Sequence, residues 1–233
     1  VILHYTTPFT QSDNDSVFAI VGADVRISVD GKEYQLQPAA LRGRYFLPKS
    51  ELAIEGGKIY TLTIKVKDHV VTASTQVPMP ITYTNLDAIF PADRVLTLDT
   101  NNAAAFSYTL TAGPIDMPSR KYMLEVLALD TTVGKIHTGQ QGPPVDTSAY
   151  VRYSFIQTAP RIIIYSRLFG WFGPNRLSFL ALDTNWVDYK RAVGFSEDAF
   201  IPYQSSLNHV DGGIGVWGSA ARDTVTVFIK PKD

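Results

Sequence analysis

The clearest signal in the chain is alternation. From Asp24 onward, apolar Val25, Ile27 and Val29 alternate with Asp24, Arg26 and Ser28, the period-two pattern of a strand with one buried face. Asp30-Gly31 follows, a pair that supplies the positive φ of a tight turn, and Tyr34 and Leu36 return, so the pattern predicts a β-hairpin. Residues 59–67 alternate Tyr60, Leu62, Ile64 and Val66 with Ile59, Thr61, Thr63 and Lys65, then turn at Lys67-Asp68-His69 into residues 70–77. That is a second hairpin with an inward row. Residues 17–20 and 43–47 are read as further short strands.

Pro78-Met79-Pro80 ends the pattern, because proline cannot donate to a ladder and restricts the residue before it. A boundary there gives an N-terminal domain over 1–80, with the strand density of an immunoglobulin-like or transthyretin-like sandwich. In the remainder, 81–233, strand-like segments recur at 95–98, 105–111, 122–129, 150–157, 161–168, 177–182 and 224–229. Residues 130–149, with Gly134, Gly139, Gly142, Pro143 and Pro144, read as a surface excursion. One helix is expected near 185–193. Asn185 stands at its cap, Trp186, Tyr189 and Val193 lie at i, i+3 and i+7, and Gly194 ends it. It is expected to cover an open end or face of the second sheet. The fold class is all-β: two β-sandwich-like domains, the C-terminal one a larger sandwich or open barrel with one short helix.

Composition agrees, with 12 Tyr, 12 Phe and many Thr and Val, the residues favoured on pleated surfaces. Apolar residues make up 45% and charged residues 18%, enough to bury a core. The 21 Lys and Arg against 22 Asp and Glu leave a net charge of −1, which argues against a nucleic-acid partner. Absent cysteine excludes disulfides and thiolate chemistry from these residues. No apolar run has the length of a transmembrane helix, and a start at Val1 without Met or leader reads as a mature or trimmed product.

Catalytic chemistry finds little support. His4, His69, His137 and His209 show no metal-binding spacing, and no metal or cofactor is expected. His209 draws notice only because it precedes the Gly212-Gly213 turn, whose glycines serve chain geometry. Ser178 and Ser219 lack a nucleophile elbow. Asp183, Asp188, Glu197, Asp198 and Asp211 could supply a carboxylate pair for glycoside hydrolysis, but acids on loops are common. Ser12-Asp13-Asn14-Asp15-Ser16 is oxygen-rich yet lacks the glycine and distal Glu of a calcium loop, and its Asn14-Asp15-Ser16 fits a glycosylation sequon.

The most unusual local feature is Leu168-Phe169-Gly170-Trp171-Phe172-Gly173-Pro174-Asn175, a glycine-rich connection carrying three aromatics. Phe169, Trp171 and Phe172 either form a contact surface or fold back as a plug over the end of the sandwich.

The segment Leu207-Asn208-His209-Val210-Asp211-Gly212-Gly213-Ile214-Gly215-Val216-Trp217-Gly218-Ser219 resembles the closing motif of a family of uncharacterised Bacteroidetes lipoproteins, domain of unknown function family 4249. The motif turn comprises Asn208, Gly212, Gly213, Gly215, Trp217 and Gly218, with Leu207 and Trp217 standing where the family usually has Ser and Phe. Trp186-Val187-Asp188-Tyr189 is similar to that family's aromatic helix, and Gly22-Ala23-Asp24-Val25-Arg26-Ile27, the strand from Gly57 to Leu62 and Thr72-Ala73-Ser74-Thr75-Gln76-Val77-Pro78 to its front half. The resemblance implies an exported lipoprotein, held at the outer membrane or cell surface by a lipid on a cysteine upstream of Val1. It also implies an accessory role beside a TonB-dependent receptor in nutrient uptake. It carries over no catalytic residue. Physically, the glycines permit a sharp turn into a strand with Val216 and Trp217 on opposite faces.

Three functions follow as expectations. The first is a non-catalytic binding or accessory module paired with such a receptor. The second is a glycan-binding or glycan-hydrolysing protein in which Trp171, Phe172 and Trp217 stack on sugar rings. The third is a structural adhesin-like subunit, which would need an unpaired edge strand.

Overall fold

A computed structural model describes residues 1–5, 15–98, 107–113, 120–136, 151–154, 156–158, 161–193 and 208–232. In chain order the elements are α1 (Asp15–Phe18), β1 (Asp24–Val29), β2 (Lys32–Gln35), β3 (Gln37–Pro38), β4 (Tyr45–Phe46), β5 (Ile59–Val66), β6 (His69–Gln76) and β7 (Thr82–Tyr83). Then come α2 (Leu86–Ile89), β8 (Val95–Leu98), β9 (Ser107–Gly113), β10 (Lys121–Ala128), β11 (Val151–Tyr153), β12 (Gln157–Thr158) and β13 (Arg161–Tyr165). A 3-10 turn at Ser166–Leu168, β14 (Gly173–Leu182), α3 (Thr184–Val193), β15 (Val210–Asp211) and β16 (Ala220–Pro231) complete the chain. Strands dominate, and the all-β, sandwich-like expectation holds.

The chain forms two compact units, Val1–Val77 with Asp183–Ser219, and Pro78–Leu182 with Ala220–Asp233. A break between the units falls at Pro78, and neither unit is a single contiguous stretch of the kind expected as 1–80 and 81–233. Residues 183–193 and 208–219, between the paired ends Leu182 and Ala220, group with the first unit. The helix therefore belongs to the N-terminal unit.

In the first unit, an antiparallel five-stranded sheet runs β15-β6-β5-β1-β2. Both hairpins form where the alternation placed them. Asp30 and Gly31 take φ of 50 and 76 between β1 and β2, and Lys67 takes φ of 52 between β5 and β6. The register sets Val25 opposite Ile64 and Ile27 opposite Leu62, and on the next pair Leu62 opposite Ala73 and Ile64 opposite Val71. One face is thus apolar. Val25, Ile27, Val29, Tyr60, Leu62, Ile64 and Val77 bury there with Leu36 and Tyr45. Tyr45 spends its hydroxyl inside, accepting from Ala23 N–H and donating to the Ile20 carbonyl, each at 3.0 Å. The strand expected over 17–20 is instead α1 followed by an isolated bridge between Ala19 and His4.

In the second unit, one sheet runs β11-β10-β14-β16-β8, with β12 also on β10, and a three-stranded sheet runs β13-β9-β7. The core lies on Tyr122, Leu124, Val126, Leu177, Phe179, Leu110, Ile162 and Ile164, all essentially inaccessible. The segments expected at 177–182 and 224–229 extend to ten and twelve residues. Ten-residue antiparallel pairing carries Asn175 and Asp223 into the ladder despite their weak strand propensity. The segment expected at 150–157 breaks after Tyr153, and the one at 161–168 ends in the 3-10 turn.

Candidate functional site

Among the described residues, a cavity of about 680 Å³ opens in the first unit. Its floor is the apolar face of β5 and β6, namely Leu62, Ile64, Val66, Val71 and Ala73. Residues 1–5 and the glycine-rich segment at 210–217 form its walls, and the hairpin turn Lys67-Asp68-His69 also lines it. The walls carry exposed apolar side chains: Ile2 is 60% accessible, Tyr5 53% and Ile214 66%.

The glycine-rich wall is built from local chemistry. Val210 and Asp211 pair with Ala73 and Thr72, so the chain arrives as a fifth strand. Gly212 then turns with φ of 76, and a Cβ there would lie 2.3 Å from the Val70 carbonyl oxygen. No other residue fits. Asn208 closes the loop from within, its Nδ2 donating to the carbonyls of Val210 at 2.8 Å and Gly213 at 2.9 Å. A ring nitrogen of His69 lies 3.1 Å from the Gly212 carbonyl oxygen, pinning the turn to the β5–β6 hairpin. Trp217 anchors the far end, donating its Nε1 proton to the Tyr60 carbonyl at 3.0 Å and packing on the core.

Behind this wall sits the start of α3. Asp183 Oδ1 accepts the Trp186 N–H at 2.9 Å, which makes Asp183 the cap in place of the expected Asn185. Asn185 Nδ2 instead donates to the carbonyls of Ser74 at 2.6 Å and Trp217 at 2.9 Å, tying β6 to the wall. Gly218 passes beneath the Trp186 ring, where a Cβ would stand 3.0 Å from Cδ1. The motif residues Asn208, Gly212, Gly213, Trp217 and Gly218 are thus brought together with Gly215 in one wall. The strand expected directly after the turn is absent at 214–219. The chain runs irregularly there, and its next strand begins at Ala220.

The aromatic connection is elsewhere. Phe169 is 1% accessible and part of the second unit's core, so it cannot belong to a contact surface. Trp171 is half-buried with the Lys135 ammonium 5.0 Å from its ring centre, and Phe172 is half-buried against the core. Backbone bonds from Ile136 N–H to the Gly170 carbonyl and from Phe172 N–H to the Gly134 carbonyl hold the segment down. Of the excursion expected over 130–149, residues 130–136 are among those described, and Ile136 is buried.

The remaining polar candidates have structural partners. His209 lies 2.9 Å from Asp188, which Arg191 also contacts at 3.3 Å. Ser178 donates to Glu125, whose other oxygen meets Arg222 at 3.2 Å. Ser219 Oγ lies 2.8 Å from Thr75 Oγ1 and donates to the Gln76 carbonyl. His4 and His69 both line the cavity. His137, Glu197, Asp198, Gly194 and residues 12–14 of the oxygen-rich stretch lie outside the described residues. Among the described residues, no group of three His, Asp or Glu side chains is placed to hold a metal ion, and no helix is long and apolar enough to cross a membrane.

Sequence reasoning identified the glycine-rich wall but not its counterpart. Leu62 and Ile64 were legible as inward-facing, yet alternation assigns them to a filled core and cannot show that space remains above them. No curated protein matches the chain. The family model described as Domain of unknown function (DUF4249) matches residues 1–157, and the chain belongs to that family.

Proposed function

We propose that this chain is a non-catalytic binding module whose ligand places an apolar body in the cavity of the first unit. One observation carries the reading: a cavity of about 680 Å³ floored by Leu62, Ile64, Val66, Val71 and Ala73 and rimmed by exposed Ile2, Tyr5 and Ile214. Ligand pockets are concave, mostly apolar and roughly 300–1,000 Å³ in volume. Exposed apolar groups around an opening cost free energy in water unless something covers them. A ring-stacked sugar would meet few polar partners on this floor, so an apolar ligand fits better than a glycan. In the wider setting that the family resemblance implies, the module is lipid-anchored at the outer membrane and serves a TonB-dependent receptor.

The test is binding of the uncharged dye Nile red, followed by its fluorescence enhancement. Ile214→Asp and Val216→Asp alter exposed wall residues and leave the core intact, so each should weaken dye binding several-fold without shifting thermal unfolding. Dye binding unchanged in both variants would defeat the cavity assignment. Co-purification of the lipidated protein with a receptor from its own outer membrane tests the wider setting independently.

A further inference from the structure

Resting on that cavity assignment, we infer that the ligand is an extended peptide segment of another polypeptide, which lies along residues 1–5 as an added strand with apolar side chains on the floor. Residues 1–5 form a second layer over the sheet. Val1 and Leu3 pack on the same core as Val66 and Val71, while Ile2 between them is 60% accessible. One edge of this segment is already paired. The Val1 carbonyl accepts from Tyr45 N–H at 2.8 Å, and Leu3 N–H donates to the Gly43 carbonyl at 2.8 Å. Further along, the Leu3 carbonyl accepts from Ile20 N–H at 2.9 Å, and Tyr5 N–H donates to the Phe18 carbonyl at 2.9 Å.

Successive residues of an extended chain turn their backbone groups to opposite edges. Ile2 therefore turns its N–H and carbonyl to the other edge, and among the described residues neither makes a hydrogen bond. That edge borders the cavity. All of residues 1–5 line it, whereas of the paired residues 18–20 and 43–45 only Ile20 does. The opposite wall, Ile214-Gly215-Val216, belongs to no strand and makes no backbone bond among the described residues. The cavity thus has the form of a missing strand, with an apolar floor beneath and unspent backbone groups on both sides. From Leu62 to Val66 the floor runs about 13 Å at roughly 3.3 Å per residue, the same reach as residues 1–5. A peptide of that length with alternate apolar residues sets two or three side chains on Leu62, Ile64, Val71 and Ala73 and offers a donor and an acceptor to Ile2. A hydrocarbon of equal volume fills the floor and leaves the backbone of Ile2 unanswered. Lys67 and Asp68 are of opposite sign, so backbone and apolar face, rather than charge, select the ligand.

The probe is a heptapeptide reading Lys-Val-Thr-Val-Thr-Val-Lys, acetylated and amidated at its ends and titrated against protein holding Nile red. It should displace the dye. N-methylation of the valines in one analogue and of the threonines in another blocks each edge of the strand in turn. At least one analogue should displace the dye about tenfold less well, the worth of one or two neutral hydrogen bonds. On the protein, Ile2→Pro removes the N–H at the cavity edge and leaves the paired edge intact, as proline on an edge strand can. It should bind the peptide about fivefold more weakly than Ile2→Ala, which keeps the N–H, with equal affinity of the two variants for Nile red. Equal displacement by all three peptides, or none while the dye still binds, overturns the added strand and leaves the cavity assignment standing. Failure of dye and peptides alike to bind the folded protein overturns both. A concentration-dependent dimer that the peptide dissolves would give the strand to a second copy and overturn a separate partner. The peptide series on the unmodified protein decides the matter even if Ile2→Pro fails to fold.

Discussion

The Thr75 hydroxyl donates to the Asp183 carboxylate, joining side chains 108 residues apart in sequence. Asp183 is 8% accessible, and its other oxygen accepts the Trp186 N–H at the start of α3. One carboxylate thus caps the helix and fixes it to β6. Asp183→Ala should cost about 2–4 kcal/mol, combining a lost cap with a buried hydroxyl left unpaired. Asp183→Asn retains an oxygen for the cap and a donor that can reach Thr75, and should cost about 1 kcal/mol or less. Urea unfolding of the two variants checks this. Equal losses would mean that the carboxylate does not link the segments.

The wall glycines separate into different physical cases. Gly212→Ala places a methyl 2.3 Å from the Val70 carbonyl oxygen at positive φ, and backbone must move to admit it. Gly213 has ordinary φ, and its added Cβ would meet a Val71 methyl at 3.3 Å, which a rotamer change relieves. The expected outcome is a loss of more than about 2 kcal/mol and of Nile red binding for Gly212→Ala, against less than about 1 kcal/mol for Gly213→Ala. Thermal unfolding with dye titration reads both. A harmless Gly212→Ala would show that the Val70 contact does not shape the wall.

Much of this arrangement was legible before any coordinates, and the failures share a cause. Val25, Ile27 and Val29, or Tyr60, Leu62 and Ile64, announce themselves because a half-buried strand must alternate, and Asp30-Gly31 because few pairs accept positive φ twice. Asn185 was taken for the cap, where Asp183 stands, because either can cap a helix locally. The choice fell to long-range partners, Thr75 for one and Ser74 with Trp217 for the other. Residues 183–219 joined the N-terminal unit for the same reason: nothing near them in sequence names β6 as their partner. Phe169 remained ambiguous because an aromatic on a glycine-rich connection has the same composition whether it turns outward or into the core.

Tyr83 offers a test by pH. Burial first, and the Asp223 carboxylate second, push its phenol well above the ordinary 10.0. Its hydroxyl is buried and makes no hydrogen bond of normal geometry, while the ring packs edge-on against Phe179 with centres 5.4 Å apart. The folded state therefore holds the proton after the unfolded chain has released it. The associated stability is fully present below pH 10 and declines as pH rises above it. Tyr83→Phe keeps the packing and removes the titration. It should be within about 1 kcal/mol of the parent at neutral pH and lose stability less steeply above pH 10. Tyr122, also raised by burial, leaves a residual slope. Urea midpoints across the alkaline range check the prediction, and parallel curves for parent and variant would refute it.

Gln157 performs in the second unit what a neighbouring strand would otherwise do. From β12, where Gln157 stands opposite Tyr122 on β10, its amide accepts the Ile163 N–H at 2.6 Å and donates to the Ile163 carbonyl at 3.0 Å. Ile163 lies on β13, the outer strand of the three-stranded sheet, so a side chain pairs both polar groups of an edge residue and links two sheets. Gln157 is only 6% accessible, so water is a poor substitute for that pairing. Gln157→Leu fills similar volume but leaves an N–H and a carbonyl unmatched, and should cost about 2–4 kcal/mol. Gln157→Glu restores the acceptor alone and sets a carboxylate against the Ile163 carbonyl, so it should be no better than leucine at neutral pH and should improve as acid protonates it. Hydrogen exchange at Ile163 is the decisive readout, because it reports the edge itself. Exchange as slow in Gln157→Leu as in the parent would show that the side chain does not seal the strand.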